Sequence, residues 1–290
     1  MILLLRSTTS YIRVGVNRLL VYLYRLSLTE RPPTLWDEPP KKKPIRFDFL
    51  MKWLSEEHEL ETSRGVLLTY KPTQSSHGVI SGVFGRWYST ETEGDPEDLF
   101  ATTEAGHWEK AAFFFNANDD HQIIGIQKNP KVSSTNAIMK AFSRTVNASS
   151  HPGGFKIDIF SRNNPKDFWD AVTKYDGRIT SISFEFILPN PTNVEGFTDK
   201  AMKKLRDKYN ADRAKGELES DEGLDLKNND IKEAAKYAEG GGGEITAKSD
   251  KTKVYATKDN IKTAEVDDEF RPTGEPIDGL SDEVKRKLTK

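Results

Sequence analysis

Three consecutive phenylalanines constrain the fold of this chain more than any other feature. Phe113, Phe114 and Phe115 lie in an apolar run, and successive side chains of a β-strand point to opposite faces of its sheet. Both faces of this strand therefore need apolar cover. Residues 122–127 have the pattern of the return strand, and Asn118-Asp119-Asp120-His121 is typical of the tip of a hairpin.

The remaining pattern of the first half predicts a mostly antiparallel sheet with helices. Strand-forming runs occupy residues 19–28, 65–70 and 79–88. Apolar residues at helical spacing predict a short amphipathic helix over 47–58. Ser133 or Ser134 caps a second helix, whose inner face carries apolar residues up to Val146.

The second half predicts a β–α–β unit, polar helices and a final hairpin, so the fold class is α+β. Residues 155–160 alternate as a strand, Asn164-Pro165 opens a helix with proline in its first turn, and residues 179–188 form a second strand. If the two strands are parallel, the crossover is right-handed. Residues 244–247 and 253–257 form the hairpin.

Interruptions of the strand and helix pattern divide the sequence into four predicted segments. His151-Pro152-Gly153-Gly154 interrupts the pattern and sets the main boundary. The segments are a flexible leader over 1–17, an N-terminal α+β subdomain over 18–150, a C-terminal α+β subdomain over 151–265, and a mostly disordered tail over 266–290. The tail is polar and ends in a short Leu280–Leu288 helix at best.

Composition excludes several classes of protein and shows segregated charge. The chain of 290 residues has no cysteine, which rules out a disulfide scaffold, a Cys-ligated zinc site and a thiol nucleophile. Net charge is only −2, yet residues 1–53 hold ten Lys or Arg against four Asp or Glu, and residues 54–120 hold four against thirteen. This segregation of charge is consistent with self-association or with a basic surface that binds nucleic acid. An ordinary solvated surface can have the same charge distribution.

Targeting signals are weak in this sequence. The apolar start, Met1 to Leu5, stops at Arg6 and is shorter than the roughly 7–15 apolar residues of a secretory signal. No window approaches the ~18 apolar residues of a membrane-spanning helix. We therefore expect a cytoplasmic protein without a membrane partner.

No complete catalytic or metal-binding motif is present. Gly240-Gly241-Gly242-Gly243 lacks the Lys and Ser/Thr of a phosphate-binding loop, and we interpret it as a flexible turn. The histidines do not occur at metal-ligand spacing. Asp119-Asp120-His121 carries ligand-type atoms, but Asp at a hairpin tip serves turn geometry. The sequence predicts no cofactor and no metal site, which favours a protein that is not an enzyme.

One pattern keeps a nuclease alternative open, and a second pattern argues against another class of nuclease. Arg144 and His151 lie at the end of a predicted helix with six residues between them, and some metal-independent ribonucleases use such a pair to hold phosphate and transfer protons. Asp158 and Glu185 lie on predicted strands as in carboxylate nucleases, but Ile187 stands where the lysine of Glu-x-Lys is required, which is evidence against that class. The catalytic residues of the alternative are therefore Arg144 and His151.

Aromatic residues beside basic ones suggest a nucleic-acid-binding face. Lys and Arg neutralise phosphates, while aromatic rings stack on unpaired bases. Core packing is the alternative interpretation of the same aromatics. The predicted nucleic-acid-binding residues are Lys41, Lys42, Lys43, Arg46, Arg86 and Trp87.

A run of sequence features resembles one bacterial family. The features are Arg46-Phe47-Asp48-Phe49-Leu50 after a Pro-Pro pair, Phe113–Asn116 with its return Ile124-Gly125-Ile126-Gln127, and Ile182–Leu188 running into Pro189-Asn190-Pro191. An acidic helical region and the Gly-rich hairpin complete the likeness, over roughly residues 18–265. The chain resembles the uncharacterised domain of unknown function 4747 family. The resemblance implies a cytoplasmic protein of mobile-element or phage-defence neighbourhoods, with no established catalytic residues.

Together these features predict a non-catalytic binding or accessory protein of a bacterial anti-phage defence or mobile-element system. It is expected to act through a protein partner encoded nearby, through self-association into an oligomer, or through nucleic acid. The alternative is a metal-independent nuclease effector that uses Arg144 and His151.

Overall fold

A computed structural model gives the architecture of most of the chain. It describes residues 18–30, 48–93, 102–117, 122–149, 155–187 and 213–289, with residues 204, 208, 209 and 211 besides. Twelve strands and five α-helices lie in these ranges, and the α+β prediction is confirmed.

Strands and helices are numbered separately in chain order. The strands are β1 (Arg18–Glu30), β2 (His58–Glu61), β3 (Leu67–Ser76), β4 (Val79–Glu93), β5 (Thr102–Asn116), β6 (Ile123–Gln127), β7 (Phe155–Ser161), β8 (Ser181–Ile187), β9 (Arg213–Glu219), β10 (Gly243–Ser249), β11 (Thr252–Ala256) and β12 (Thr263–Asp267). The helices are α1 (Asp48–Leu54), α2 (Thr135–Ser149), α3 (Pro165–Lys174), α4 (Asn229–Tyr237) and α5 (Leu280–Leu288).

The larger sheet has eight strands and is antiparallel throughout. Its order is β12-β1-β6-β5-β4-β3-β2, and β7 pairs with the second half of β1 on the edge that β12 leaves free. The long strand β1 is therefore central, because β6 occupies its other edge. The predicted hairpin of β5 and β6 is confirmed by the pairing of Phe113 with Ile126.

Apolar cover lies on both faces of this sheet, as the three phenylalanines predict. Phe113 and Phe115 point into a core with residues of α1 and α2. Phe114 points to the other side, into a core that α5 closes. All three side chains are fully buried.

The smaller sheet has four strands in the order β11-β10-β8-β9. Apolar residues of α3 and α4 pack on one of its faces, around Ile182 and Ile245. The predicted final hairpin corresponds to β10 and β11, which pair with a bulge between Ala247 and Lys248.

The strand–helix–strand run from β7 to β8 differs from a parallel crossover unit. Strand β7 joins the larger sheet, where Leu26 faces Ile159, whereas β8 joins the smaller one. Both strands have only antiparallel neighbours among the described residues, so helix α3 connects two sheets and the crossover rule does not apply. Alternation in a sequence identifies which face of a strand is buried but not which strand lies beside it.

The end of the chain is ordered, which corrects the prediction of a mostly disordered tail over 266–290. Val266 lies in β12 beside β1, and α5 buries Leu280, Val284 and Leu288 against the sheet. These residues are spaced by four, so they share one face of the helix. The sheets also cross the predicted boundary near residue 150, since β7 and β12 complete the larger sheet. The predicted leader over 1–17 and the break at 151–154 lie outside the described residues.

Strands β4 and β5 extend beyond their neighbours and form a projecting ribbon, here residues 86–93 and 102–109. Strand β3 pairs with β4 only as far as Gly85, and β6 pairs with β5 only from Phe113. Within the described residues, the two strands beyond these points pair only with each other. At ~3.4 Å a residue, the ribbon reaches about 27 Å from the sheet.

Candidate nucleic-acid interface

The base of the ribbon carries two exposed tryptophans on one face. Trp87 on β4 and Trp108 on β5 are directly opposite each other, with ring centroids 5.4 Å apart and planes inclined at 56°. Their exposed fractions are 48% and 50%, which is high for large aromatic residues. Cross-strand aromatic pairs stabilise isolated ribbons, so this pair has a structural effect as well as an open surface.

Each indole ring lies across the partner strand over a glycine. A Cβ atom added at Gly106 would overlap the Trp87 ring, and one added at Gly85 would lie 3.0 Å from Cε3 of Trp108. Any side chain at either glycine would push the ring away from the sheet. The two glycines therefore let the rings lie close to the backbone while about half of each remains open to solvent.

Two lysines lie on the same face, on the sheet side of the tryptophans. Lys110 is two residues from Trp108 on β5, and Lys71 lies on β3. Together with Trp108 they line a depression of about 410 Å³, whose other lining residues are Thr69, Val83 and Gly85. We call this surface, with Trp87, the indole–lysine face.

The ammonium groups of this face are available to a ligand. Lys71 Nζ lies 3.2 Å from Oε2 of Glu57, and both side chains are more than half exposed. An exposed pair of this kind is worth at most about 1 kcal/mol, so an incoming phosphate can replace the carboxylate. Lys110 has no ion-pair partner among the described residues.

The outer part of the ribbon is acidic. Its described outer positions, residues 91–93 and 102–104, include Glu91, Glu93 and Glu104 and no Lys or Arg. In the backbone register, Glu91 is directly opposite Glu104. The indole–lysine face thus has basic residues on its sheet side and acidic residues on its other side, along the outer part of the ribbon.

The opposite face of the ribbon holds a separate polar cluster. The Arg86 guanidinium lies 4.5 Å from the Tyr88 ring centroid, and the Tyr88 ring stacks with His107 at 5.7 Å. Tyr88 Oη donates to the carbonyl oxygen of Lys131. Lys131 Nζ donates to Glu109 at 2.8 Å, and this hydrogen bond lowers the pKa of Glu109 and raises the pKa of Lys131.

This arrangement separates two of the predicted nucleic-acid-binding residues. Trp87 lies on the indole–lysine face, but Arg86 points to the other side, because adjacent residues of a strand alternate. Arg86 therefore cannot contact the same flat ligand surface as Trp87. Lys41, Lys42, Lys43 and Arg46 lie outside the described residues, and their role remains a prediction.

The nuclease alternative stays a prediction as well. Arg144 lies on α2, and its Nη2 donates to the carbonyl oxygen of Glu61 beside an open depression that also includes Thr62 and Ser63. His151 lies outside the described residues, so its distance from Arg144 is not defined.

Asp158 and Glu185 are brought together by a basic residue. Arg213 on β9 forms ion pairs with Asp158 and, at 3.0 Å, with Glu185. Lys215 also pairs with Glu185, at 3.1 Å. The guanidinium occupies the space between the two carboxylates, so their arrangement is an ion-pair network that joins the two sheets.

Trp108, Lys71 and Lys110 were missed by the sequence analysis. Their convergence depends on strand register across β3, β4 and β5, which spacing along one segment does not reveal. One local signal was present: Gly-x-Trp occurs at 85–87 and again at 106–108. Two copies of this pattern on the strands of one hairpin indicate tryptophans that lie over opposing glycines.

The described ranges contain neither a metal-binding cluster nor a helix that could cross a membrane. Among the described residues, no group of three or more His, Cys, Asp or Glu side chains is placed to hold a metal ion. None of the helices described in the structure has the length and apolar character needed to span a membrane.

A family model covers most of the chain, including the whole ribbon. The family is described as Domain of unknown function (DUF4747), and its model matches residues 40–271. No curated protein matches the sequence. The indole–lysine face lies entirely within the matched region.

Proposed function

The chain belongs to the family described as Domain of unknown function (DUF4747), and from this premise we propose that it is a non-catalytic protein that binds nucleic acid. The binding surface is the indole–lysine face. The observation that carries the proposal is the exposure of Trp87 and Trp108 beside Lys71 and Lys110 on one open sheet surface.

Each component of this face has a recognised part in nucleic-acid binding. Indole rings stack on bases of any identity, and lysines neutralise phosphates. Stacking contributes about 1–3 kcal/mol per base, so two indoles supply about 2–6 kcal/mol. With two lysines in addition, we expect dissociation constants between about 1 µM and 1 mM at low salt.

A pair of charge-reversal variants tests the proposal. The probes are fluorescein-labelled oligonucleotides of about 20 nucleotides, both single strands and duplexes, titrated with protein at about 20 mM salt and followed by anisotropy. We expect binding, and we expect Lys110→Glu to weaken it several-fold. Lys140→Glu, an exposed lysine on α2 on the other side of the sheet, is the matched control and should bind normally. Absence of binding to every probe at low salt would overturn the proposal.

For the cellular setting we propose a bacterial anti-phage or mobile-element system, with a protein partner encoded nearby. This part of the proposal is supported by the family resemblance of the sequence alone. The test is plating of a phage panel on bacteria that carry the gene with its neighbours. Protection that Lys110→Glu removes and Lys140→Glu retains supports the setting, and unchanged plating for every phage contradicts it.

A further inference from the structure

The indole–lysine face has an order of charge and aromatic groups that restricts its ligand. We infer that the ligand is single-stranded nucleic acid lying across the strands of the sheet, with its bases on the indoles and its phosphates on the lysine side. The inference rests on the proposed function and names the substrate class of the same site.

The rings favour unpaired bases over a duplex. Trp87 and Trp108 lie over Gly106 and Gly85, and their exposed parts face outward from the sheet. A ring in this position gains by stacking on the face of a base, and in a duplex those faces are covered by neighbouring base pairs. A duplex offers this surface only its phosphates and groove edges, which two lysines hold weakly.

Strand register places the contact positions in successive rows. From the ribbon inward, the rows on this face are Ser89 with Gly106, Trp87 with Trp108, Gly85 with Lys110, and Val83 with Lys71. Lys110 and Lys71 lie on strands separated by β4, which puts them about 10 Å apart across the sheet. A chain of phosphates that contacts both lysines therefore runs across β5, β4 and β3.

The acidic residues of the ribbon exclude a path of the nucleic-acid strand along β4 and β5. A nucleic-acid strand that followed β4 and β5 outward would bring its phosphates to the outer part of the ribbon, where β4 carries Glu91 and Glu93 and β5 carries Glu104. Carboxylates and phosphates repel each other, and little counter-ion release is available beside acidic residues. The phosphates consequently lie on the sheet side of Trp87 and Trp108.

The electrostatic part of binding has a predictable size. Each phosphate neutralised on a single strand contributes about −0.7 to the slope of log K against log salt concentration. Lys71 and Lys110 therefore contribute about −1.4 together, and Lys110→Gln should reduce the magnitude of the slope by about 0.7. Lys140→Gln should leave the slope unchanged.

Three probes of equal length test the inference: a single strand of mixed sequence, its duplex, and an abasic strand with the same phosphodiester backbone. We expect the single strand to bind at least about tenfold more tightly than the other two. The paired variant Trp87→Leu/Trp108→Leu should bind the single strand only as tightly as the wild-type protein binds the abasic strand. Circular dichroism and a thermal melt establish that this variant is folded.

The outcomes separate this inference from the proposed function. Equal or tighter binding of the duplex, with sensitivity to Lys110→Gln, would overturn the single-strand assignment and keep nucleic-acid binding. Equal binding of the abasic strand would overturn stacking on the indoles. If the tryptophan variant does not fold, Lys110→Gln with the abasic comparison still decides the question. If no probe binds, both proposals fail, and a basic peptide attracted to the acidic ribbon becomes the ligand to examine.

Discussion

Arg213 on β9 forms an ion pair with Asp158 on β7, so the smaller sheet neutralises a buried carboxylate of the larger one. Asp158 is only 3% exposed, and its second oxygen, Oδ2, has no hydrogen-bond partner among the described residues. A buried charge that loses its partner is strongly destabilising. The contact between the two sheets therefore depends on this guanidinium.

Replacing Arg213 with methionine should lower the free energy of unfolding by about 2–3 kcal/mol. This is below the ~3–5 kcal/mol range for breaking a fully buried pair, because the Arg213 side chain is partly exposed. Adding Asp158→Asn in the same chain should recover much of the loss, since no buried charge then remains. Urea unfolding measures both effects. Lys215→Met, which removes only a surface pair with Glu185, is the control and should change stability by less than about 1 kcal/mol.

Glu239 should make stability fall as pH rises from about 4.5 to 7. It lies in the π-helical turn Ala238–Gly242, and Oε1 is buried with no hydrogen-bond partner among the described residues. Burial raises the pKa of Glu239 to about 7, and the nearby Lys236 opposes that shift only in part. Tyr255 on β11 also lies close, and burial together with the charge of Glu239 raises its pKa in turn.

The direction of this pH dependence of stability follows from the raised pKa of Glu239. Below the ordinary value near 4.5 the carboxyl group is neutral in both the folded and the unfolded chain, so its stabilisation is fully present there and is lost as pH rises through about 7. After allowance for its partial exposure, the loss is about 1–2 kcal/mol. Glu239→Gln should therefore be more stable than the wild type at pH 8 and equal to it at pH 4. Glu222→Gln, on an exposed loop, is the control, and an unchanged pH profile in Glu239→Gln would contradict the assignment.

Much of the fold was predictable because the informative patterns are local. The three consecutive phenylalanines at 113–115 predicted apolar cover on both faces of their strand. The return strand to Gln127 was predictable from the polar residues at the hairpin tip and the apolar residues that follow them. The final hairpin was predictable for the same reason. Pairing between distant segments was not predictable. Strand β1 pairs with β12 and with β7, and these strands are too far apart in the sequence for a short window to include both partners.

The ordered end of the chain and the indole–lysine face could not be predicted from short stretches of sequence. The segment that contains Leu280, Val284 and Leu288 is polar overall, which suggested disorder, yet Phe114 requires cover on the face where that helix packs. The face around Trp87 arises only when three strands align, so the residues that accompany Trp87 were not predictable from its own neighbours. Gly-x-Trp, present twice, was the one usable signal.

Leu288→Ala should destabilise the protein by about 2–5 kcal/mol, which tests the ordered end of the chain. Leu288 is fully buried, and a Cβ added at Gly125 would lie only 2.8 Å from its Cδ2, so the side chain fits closely against β6. A disordered tail predicts no change. Thermal and urea unfolding give the value, with Lys285→Ala on the same helix as the control that should cost less than about 1 kcal/mol.

Gly106→Ala should disrupt the indole–lysine face without removing any group that contacts the ligand. The added methyl group would occupy the position of the Trp87 ring, which must then move away from Trp108. We expect the coupled circular-dichroism signal of the two indoles to diminish and single-strand affinity to fall about tenfold, since stacking is worth about 1–3 kcal/mol per base. Gly216→Ala on β9 is the matched control, because a Cβ there meets no atom within 4 Å. If Gly106→Ala retains both the dichroism signal and the affinity, the close placement of Trp87 over this glycine is wrong.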